Sequence, residues 1–166
     1  MNTQSIILVF SDNSRHLIFS AQGSGGQKEI LIMKAFRPKK ILTIDDDEDI
    51  RNSINERLQM EGFNTTWAKN GRVALDYLQA LSDTDLPDLI ILDFMMPIMN
   101  GQDFCREKSK IPRLSQIPVV MMTASGNLVN VMDKIDSKAE GYMSKPMDDE
   151  TIVKMVKYFL ERLPEP

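Results

Sequence analysis

Short apolar runs set at near-regular intervals constrain this chain more than any other feature. Ile41-Leu42-Thr43-Ile44, Leu89-Ile90-Ile91-Leu92 and Val119-Val120-Met121-Met122 are strand-length and flanked by polar residues. Continuous apolar character over four or five residues suits strands buried on both faces. Between these runs apolar residues recur at helical spacing. Ile50, Ile54 and Leu58 predict a helix from about Asp47 to Glu61, ended by Gly62. Ala74, Leu75, Leu78 and Leu81 mark a second helix, and a third starts near Gly101 and ends before Pro112. Leu128, Val131, Met132 and Ile135 mark a fourth; Ile152, Met155, Val156, Phe159, Leu160 and Leu163 form the stripe of a last one, stopped by Pro164. Asn64 to Ala68 reads as a further strand closed by the turn pair Asn70-Gly71, Ser82 to Pro87 as a loop, Pro118 to Thr123 as the fourth strand and Gly141 to Ser144 as the fifth.

Strands alternating with helices through short links form a parallel sheet with helices on both faces. Five such units from Lys39 onward fit a flavodoxin-like doubly wound fold, a five-stranded parallel sheet in the order 2-1-3-4-5 with five helices. Residues 39–166 form this domain, and residues 1–38 are an N-terminal extension of different character. Ile6 to Phe10 and His16 to Phe19 are β-prone around the turn-rich Ser11-Asp12-Asn13-Ser14, which predicts a hairpin, and Gly23-Ser24-Gly25-Gly26 reads as a linker. The alternative is that Met33 is the natural start and the residues before it are an extended reading frame.

The polar residues at the strand ends carry the chemistry. Asp45-Asp46-Asp47 follow the first strand, Asp93 ends the third, Thr123 ends the fourth, and Lys145-Pro146 follow the fifth. Carboxyl ends of parallel strands share one edge of the sheet, where ligands bind. Carboxylates, a hydroxyl and an amine at such an edge suit a divalent cation and a phosphoryl group. Each residue has a blander reading. Asp47 and Asp49 serve as helix N-terminal acids, a lone lysine is usually solvated surface, and the methionines near the site are gap-fillers.

With Asp93 followed by Met96-Pro97 and Asn100-Gly101, Thr123 lies 123 − 93 = 30 positions on and Lys145 lies 145 − 93 = 52 on. In this pattern the stretch from Lys39 to Leu163 resembles a response-regulator receiver domain, the phosphoacceptor module of two-component signalling. The resemblance implies that Asp93 accepts a phosphoryl group from a phosphohistidine on a sensor histidine kinase or phosphotransfer protein. It implies that Asp46 and Asp93 ligate Mg²⁺, with Asp45 acting through water or by orienting that water and the backbone carbonyl of Met95 completing the protein ligands. Lys145 and Thr123 would contact the phosphoryl oxygens, and Thr123 with Tyr142 would form the switch that reshapes a protein-binding face for a downstream target. Met95 and Ser125 match positions that tune phosphoryl lifetime. Such a domain is not an enzyme beyond catalysing its own phosphorylation and dephosphorylation, and a homodimer through the face of the fourth helix, fifth strand and last helix is left open.

Composition narrows the rest. A net charge of −4 argues against direct nucleic-acid binding, and the chain ends just past the last helix, so a stand-alone type without a DNA-binding output domain is expected. No apolar stretch approaches the roughly 20 residues that span a bilayer, and the lone Cys105 forms no internal disulfide, which fits the cytoplasm. Two rivals remain. A haloacid-dehalogenase-like phosphatase would need a second acid two residues after the nucleophile, where Met95 stands. A non-phosphorylated adaptor with a receiver fold would usually have lost one of the acids or the lysine.

Overall fold

The computed structural model describes residues 5–11, 14–22 and 28–34 as strands in register, and residues 37–124 and 139–162 with their side chains. The chain divides into two units, Met1–Pro38 and Lys39–Pro166. The first holds three antiparallel strands, β1 (Ser5–Ser11), β2 (Ser14–Gln22) and β3 (Lys28–Lys34), in the order β1-β2-β3. The predicted hairpin is therefore two-thirds of a sheet. Val9 pairs with His16 across the first ladder, and Ile18 with Ile32 across the second. Two strands alone are marginal in water, and a third supplies the extra ladder. The Gly23–Gly26 linker lies outside the described residues.

In the second unit β4 (Lys40–Ile44), β5 (Asn64–Ala68), β6 (Leu89–Asp93), β7 (Val119–Ala124) and β8 (Gly141–Lys145) form one parallel sheet in the order β5-β4-β6-β7-β8. This is the expected 2-1-3-4-5 order of a flavodoxin-like fold. Helices α1 (Glu48–Met60), α2 (Gly71–Ala80), α3 (Gly101–Ser109), a single turn α4 (Pro112–Ser115) and α5 (Asp149–Arg162) accompany it. The helix predicted around Leu128 to Ile135 and the stop at Pro164 lie outside the described residues.

The strands sort their side chains by parity. Leu42, Ile44, Ile90, Leu92, Val119 and Met121 join one core with α2 and α3 around the fully buried Phe104. Ile41, Leu89, Ile91, Val120 and Met122 join the other with α1 and α5. Both faces are covered, which is why these runs show no polar alternation. Cys105 is buried in the first core, and burial pushes its thiol up to about 11, far from reactive thiolate chemistry.

The two Asn-Gly pairs are helix starts. Asn70 does not sit in a turn closing a strand, as its sequence suggested; its side chain caps α2 by accepting from the Val73 amide at 3.0 Å. Asn100 caps α3 through the Asp103 amide at 2.8 Å. The glycines allow close packing. A Cβ on Gly71 would lie 2.9 Å from the Met99 carbonyl oxygen, and one on Gly101 only 2.7 Å from that of Asp93.

Two further departures are local. Asp83–Asp85 form a 3₁₀ turn inside the expected loop, where Asp85 accepts from Ser82 at 2.7 Å. Pro112–Ser115 add one helical turn after α3 that was not expected, with proline at its start where a missing N–H costs nothing. That turn aims Arg113 at the end of α2, where its guanidinium donates to the carbonyls of Leu78, Gln79 and Leu81 at 3.1, 2.7 and 2.8 Å. Helix C-termini leave such carbonyls without intrahelical partners. Arg113→Ala should lower unfolding stability by about 1–3 kcal/mol. Urea unfolding checks this as a lower midpoint with an unchanged slope.

Candidate functional site

The carboxyl ends of β4, β6, β7 and β8 bring the predicted acids and lysine to one edge. Asp45 directly follows β4 and is fully buried. Its Oδ1 accepts from the Asp47 amide at 2.9 Å and its Oδ2 from Lys145 Nζ at 2.6 Å. Asp93 is the last residue of β6, also buried; its Oδ1 pairs with Lys145 Nζ at 2.7 Å and its Oδ2 accepts from the Met95 amide at 3.1 Å. Asp46 is exposed beside them. Carboxylate oxygens of Asp45, Asp46 and Asp93 all lie within 4.8 Å of one another.

Three like charges this close repel one another. Burial pushes the Asp93 carboxyl above its ordinary value; the Lys145 ammonium pulls the other way, and the Asp45 and Asp46 charges add to the push. Burial alone would make Lys145 give up its proton more readily. Its hydrogen bonds and charge pairing with Asp45 and Asp93 outweigh that and hold it above the ordinary lysine value. Hard carboxylate oxygens around a shared point suit a small divalent cation that keeps some of its water, as Mg²⁺ does.

Thr123, near the end of β7, is fully buried, and its Oγ1 has no hydrogen-bond partner among the described residues. It follows Met122, which pairs with Asp93 across the sheet, and itself pairs with Ser144, the neighbour of Lys145. A buried hydroxyl left unmatched is unusual. Tyr142 is partly buried against the α2–α3 core. Met95 is exposed, with 65% of its surface accessible, and its amide meets Asp93. Ser125 lies outside the described residues.

A family model described as a response regulator receiver domain matches residues 41–157. The chain belongs to the response-regulator receiver family. The receiver is 37% identical over 123 residues to the transcriptional regulatory protein CpxR of Escherichia coli (strain K12), covering 74% of this chain and 50% of CpxR. It is 36% identical over 123 residues to the DNA-binding dual master transcriptional regulator RpaA of a Synechocystis strain, covering 74% of this chain and 49% of RpaA. The chain thus spans about half the length of these curated relatives. Among solved structures it is similar to the chemotaxis response regulator CheY4 of Vibrio cholerae, with a TM-score of 0.67 and 28% identity over 74% of this chain and 98% of that one.

Two residues of the receiver edge escape reasoning from sequence. Arg51 is buried and donates from Nη1 to the Asp45 carbonyl at 2.8 Å. A single arginine among charged helix residues reads as solvated, and only its period, with Ile54 and Leu58 on the same inward face, hints otherwise. Gly101 lets α3 start against the backbone of Asp93, its amide donating to the Phe94 carbonyl at 3.0 Å. The sequence places a helix start near Gly101 but carries no sign of this backbone contact. Among the described residues, no helix is long and apolar enough to cross a membrane.

Proposed function

We propose that this receiver is a phosphoacceptor that takes a phosphoryl group onto Asp93 from a phosphohistidine on a sensor histidine kinase or phosphotransfer protein, in the cytoplasm. The carrying observation is the cluster itself: three carboxylates within 4.8 Å of one another and a lysine bridging two of them. An Asp93 oxygen attacks phosphorus, the N–P bond to the donor imidazole breaks, and the product is an acyl phosphate. Asp46 and Asp93, with Asp45 and the Met95 carbonyl, would hold Mg²⁺. The ion neutralises charge between the anionic nucleophile and the phosphoryl group.

The protein's own groups do the rest. Lys145 follows the negative charge, giving up one carboxylate contact to pair with a phosphoryl oxygen. The idle Thr123 hydroxyl donates to another, which matches its buried state without a partner. Movement of Thr123 leaves room on the side of β7 toward which Tyr142 turns, and the changed face then binds a downstream protein. A contact made in only one of two states is what shifts the population. A haloacid-dehalogenase-like phosphatase finds no support: the position two after Asp93 is an exposed methionine.

The test is intact mass after incubation with Mg²⁺ and acetyl phosphate. A gain of one phosphoryl group that hydroxylamine removes is expected, because hydroxylamine cleaves acyl phosphates. Absence of any gain in folded, Mg²⁺-bound protein would favour the adaptor reading.

Met95 and Ser125 are proposed to set the lifetime of the phosphoryl group. The Met95 side chain is thioether and hydrocarbon and orients no attacking water. Met95→Asn is expected to speed decay of the aspartyl phosphate about 10-fold, less than a full general base contributes because the amide only orients the water. An unchanged decay rate, followed by intact mass after acetyl phosphate is removed, rejects the role.

A further inference from the structure

Arg51 is a buried cation that the phosphoacceptor chemistry does not use. It stands on α1 with 6% of its surface exposed. Its Nη1 donates to the Asp45 carbonyl at 2.8 Å, and its guanidinium carbon lies 4.7 Å from the ring centroid of Trp67. Its Nε is buried without a hydrogen-bond partner among the described residues. Burying a charge on these terms is expensive, and an apolar side chain of similar size would fill the space at lower cost. The side chain therefore makes sense for what it holds.

What it holds is the backbone of the acidic turn. The Asp45 amide donates to the Ala68 carbonyl at 3.2 Å, while the Asp45 carbonyl accepts from Arg51. The peptide leading into Asp46 is thus fixed from α1, and Asp46 is the exposed member of the carboxylate cluster. On its other side Arg51 is fixed by the indole face, a favourable seat for a planar guanidinium. Trp67 sits on β5, an edge strand of the sheet, with 54% of its surface exposed.

We propose that Arg51 is a positioning residue for the acidic turn, and that through its stack on Trp67 the loading of that turn with a divalent cation is registered at the edge strand β5. The proposal rests on the reading of the acidic cluster as a Mg²⁺ site. The carbonyl that Arg51 holds belongs to the same turn as the carboxylates that would hold the cation, so any shift of that turn on loading would be passed to the guanidinium against the indole. Outer-shell hydrogen-bond partners that orient metal ligands are typically worth about 10–100-fold in metal affinity.

The test uses the full chain and no phosphodonor. Mg²⁺ affinity is measured by calorimetry, and Trp67 emission is followed in the same titration; Trp67 is the sole tryptophan, so the signal has one source. The parent should bind Mg²⁺ with a saturable change in emission at the calorimetric affinity. Arg51→Met and Arg51→Lys should each bind at least about 10-fold more weakly, with the emission change lost. Arg51→Lys keeps the charge but not the planar stack, and it carries the test even where Arg51→Met does not fold. Trp67→Leu, followed by calorimetry alone, should weaken binding in the same direction. A purely structural Arg51 would lower the melting temperature and leave the Mg²⁺ affinity of the folded protein unchanged. Parent-like affinity or parent-like emission response in Arg51→Lys overturns the proposal. Absence of Mg²⁺ binding in the parent overturns the cation reading and the proposal with it.

Discussion

Asp93→Asn should take up no phosphoryl group from acetyl phosphate, and in EDTA it should melt at a higher temperature than the parent. The first effect is chemical: an amide oxygen is a poor nucleophile and cannot form the acyl phosphate. The second follows from the electrostatics of the pocket. Burial and the neighbouring Asp45 and Asp46 charges raise the Asp93 carboxyl above its reference value of 3.8 despite Lys145. An acid whose folded value is raised stabilises the native state below the unfolded value, and that contribution is lost as pH rises through the folded value. At pH 7 the ionised Asp93 therefore counts against folding, and asparagine removes the charge while keeping the shape. Mg²⁺ should reverse the order. At a concentration 100 times its dissociation constant an ion adds about 2.7 kcal/mol to the parent, and the variant, having lost one ligand, should gain less. Thermal unfolding of both proteins in EDTA and in Mg²⁺ reads all four values. Continued phosphorylation of the variant would move the acceptor elsewhere, and a lower melting temperature in EDTA would mean that the Lys145 attraction outweighs burial and repulsion.

The same balance explains what could be read from the sequence. Asp45 and Asp93 were legible because each ends an apolar run, and a carboxylate joined to a buried strand has few reasons to be there except chemistry. Lys145 and Thr123 were legible by their strands and by their distance from Asp93. Helix bounds were legible where a cap and a stop coincide: α1 runs between the cap Asp47 and the left-handed Gly62, as its pattern predicts. What escaped lacks period. Four residues of α4 cannot show a 3.6-residue repeat, and no strand was expected at β3, from Lys28 to Lys34. Arg51 escaped for a different reason: residue type alone gives arginine a solvated role, and its burial depends on Trp67 from a strand 16 positions away in sequence, 67 − 51. The backbone role of the two Asn-Gly pairs was equally hidden, because the contacts that need glycine come from Met99 and Asp93, neither adjacent in the chain.

Lys145→Met should have the largest effect on the metal-free protein. The ammonium of Lys145 lies between Asp45 and Asp93, at 2.6 and 2.7 Å. Asp45 is wholly buried and Asp93 nearly so, so their charges are poorly screened by solvent. Removing one member of a buried pair leaves an uncompensated charge, and here it leaves two that repel. A loss of about 2–4 kcal/mol in EDTA is expected, somewhat below the usual cost because the Lys145 side chain keeps some access to water. Methionine preserves most of the stem, which separates the charge from the packing of the methylenes. The decisive arm is Mg²⁺. A cation seated among the three carboxylates supplies the missing positive charge, so the deficit in urea unfolding should shrink markedly when EDTA is replaced by Mg²⁺. On the proposed reading phosphoryl uptake should not recover with it: there the ammonium also pairs with the phosphoryl oxygen as charge develops, and loss of one such contact costs about 100-fold in rate. Stability restored without uptake would separate two duties of one side chain, neutralising the resting pocket and steadying the transferred group. Stability that Mg²⁺ fails to restore would instead assign the loss to packing around the stem, and would weaken the case that the three acids share a cation.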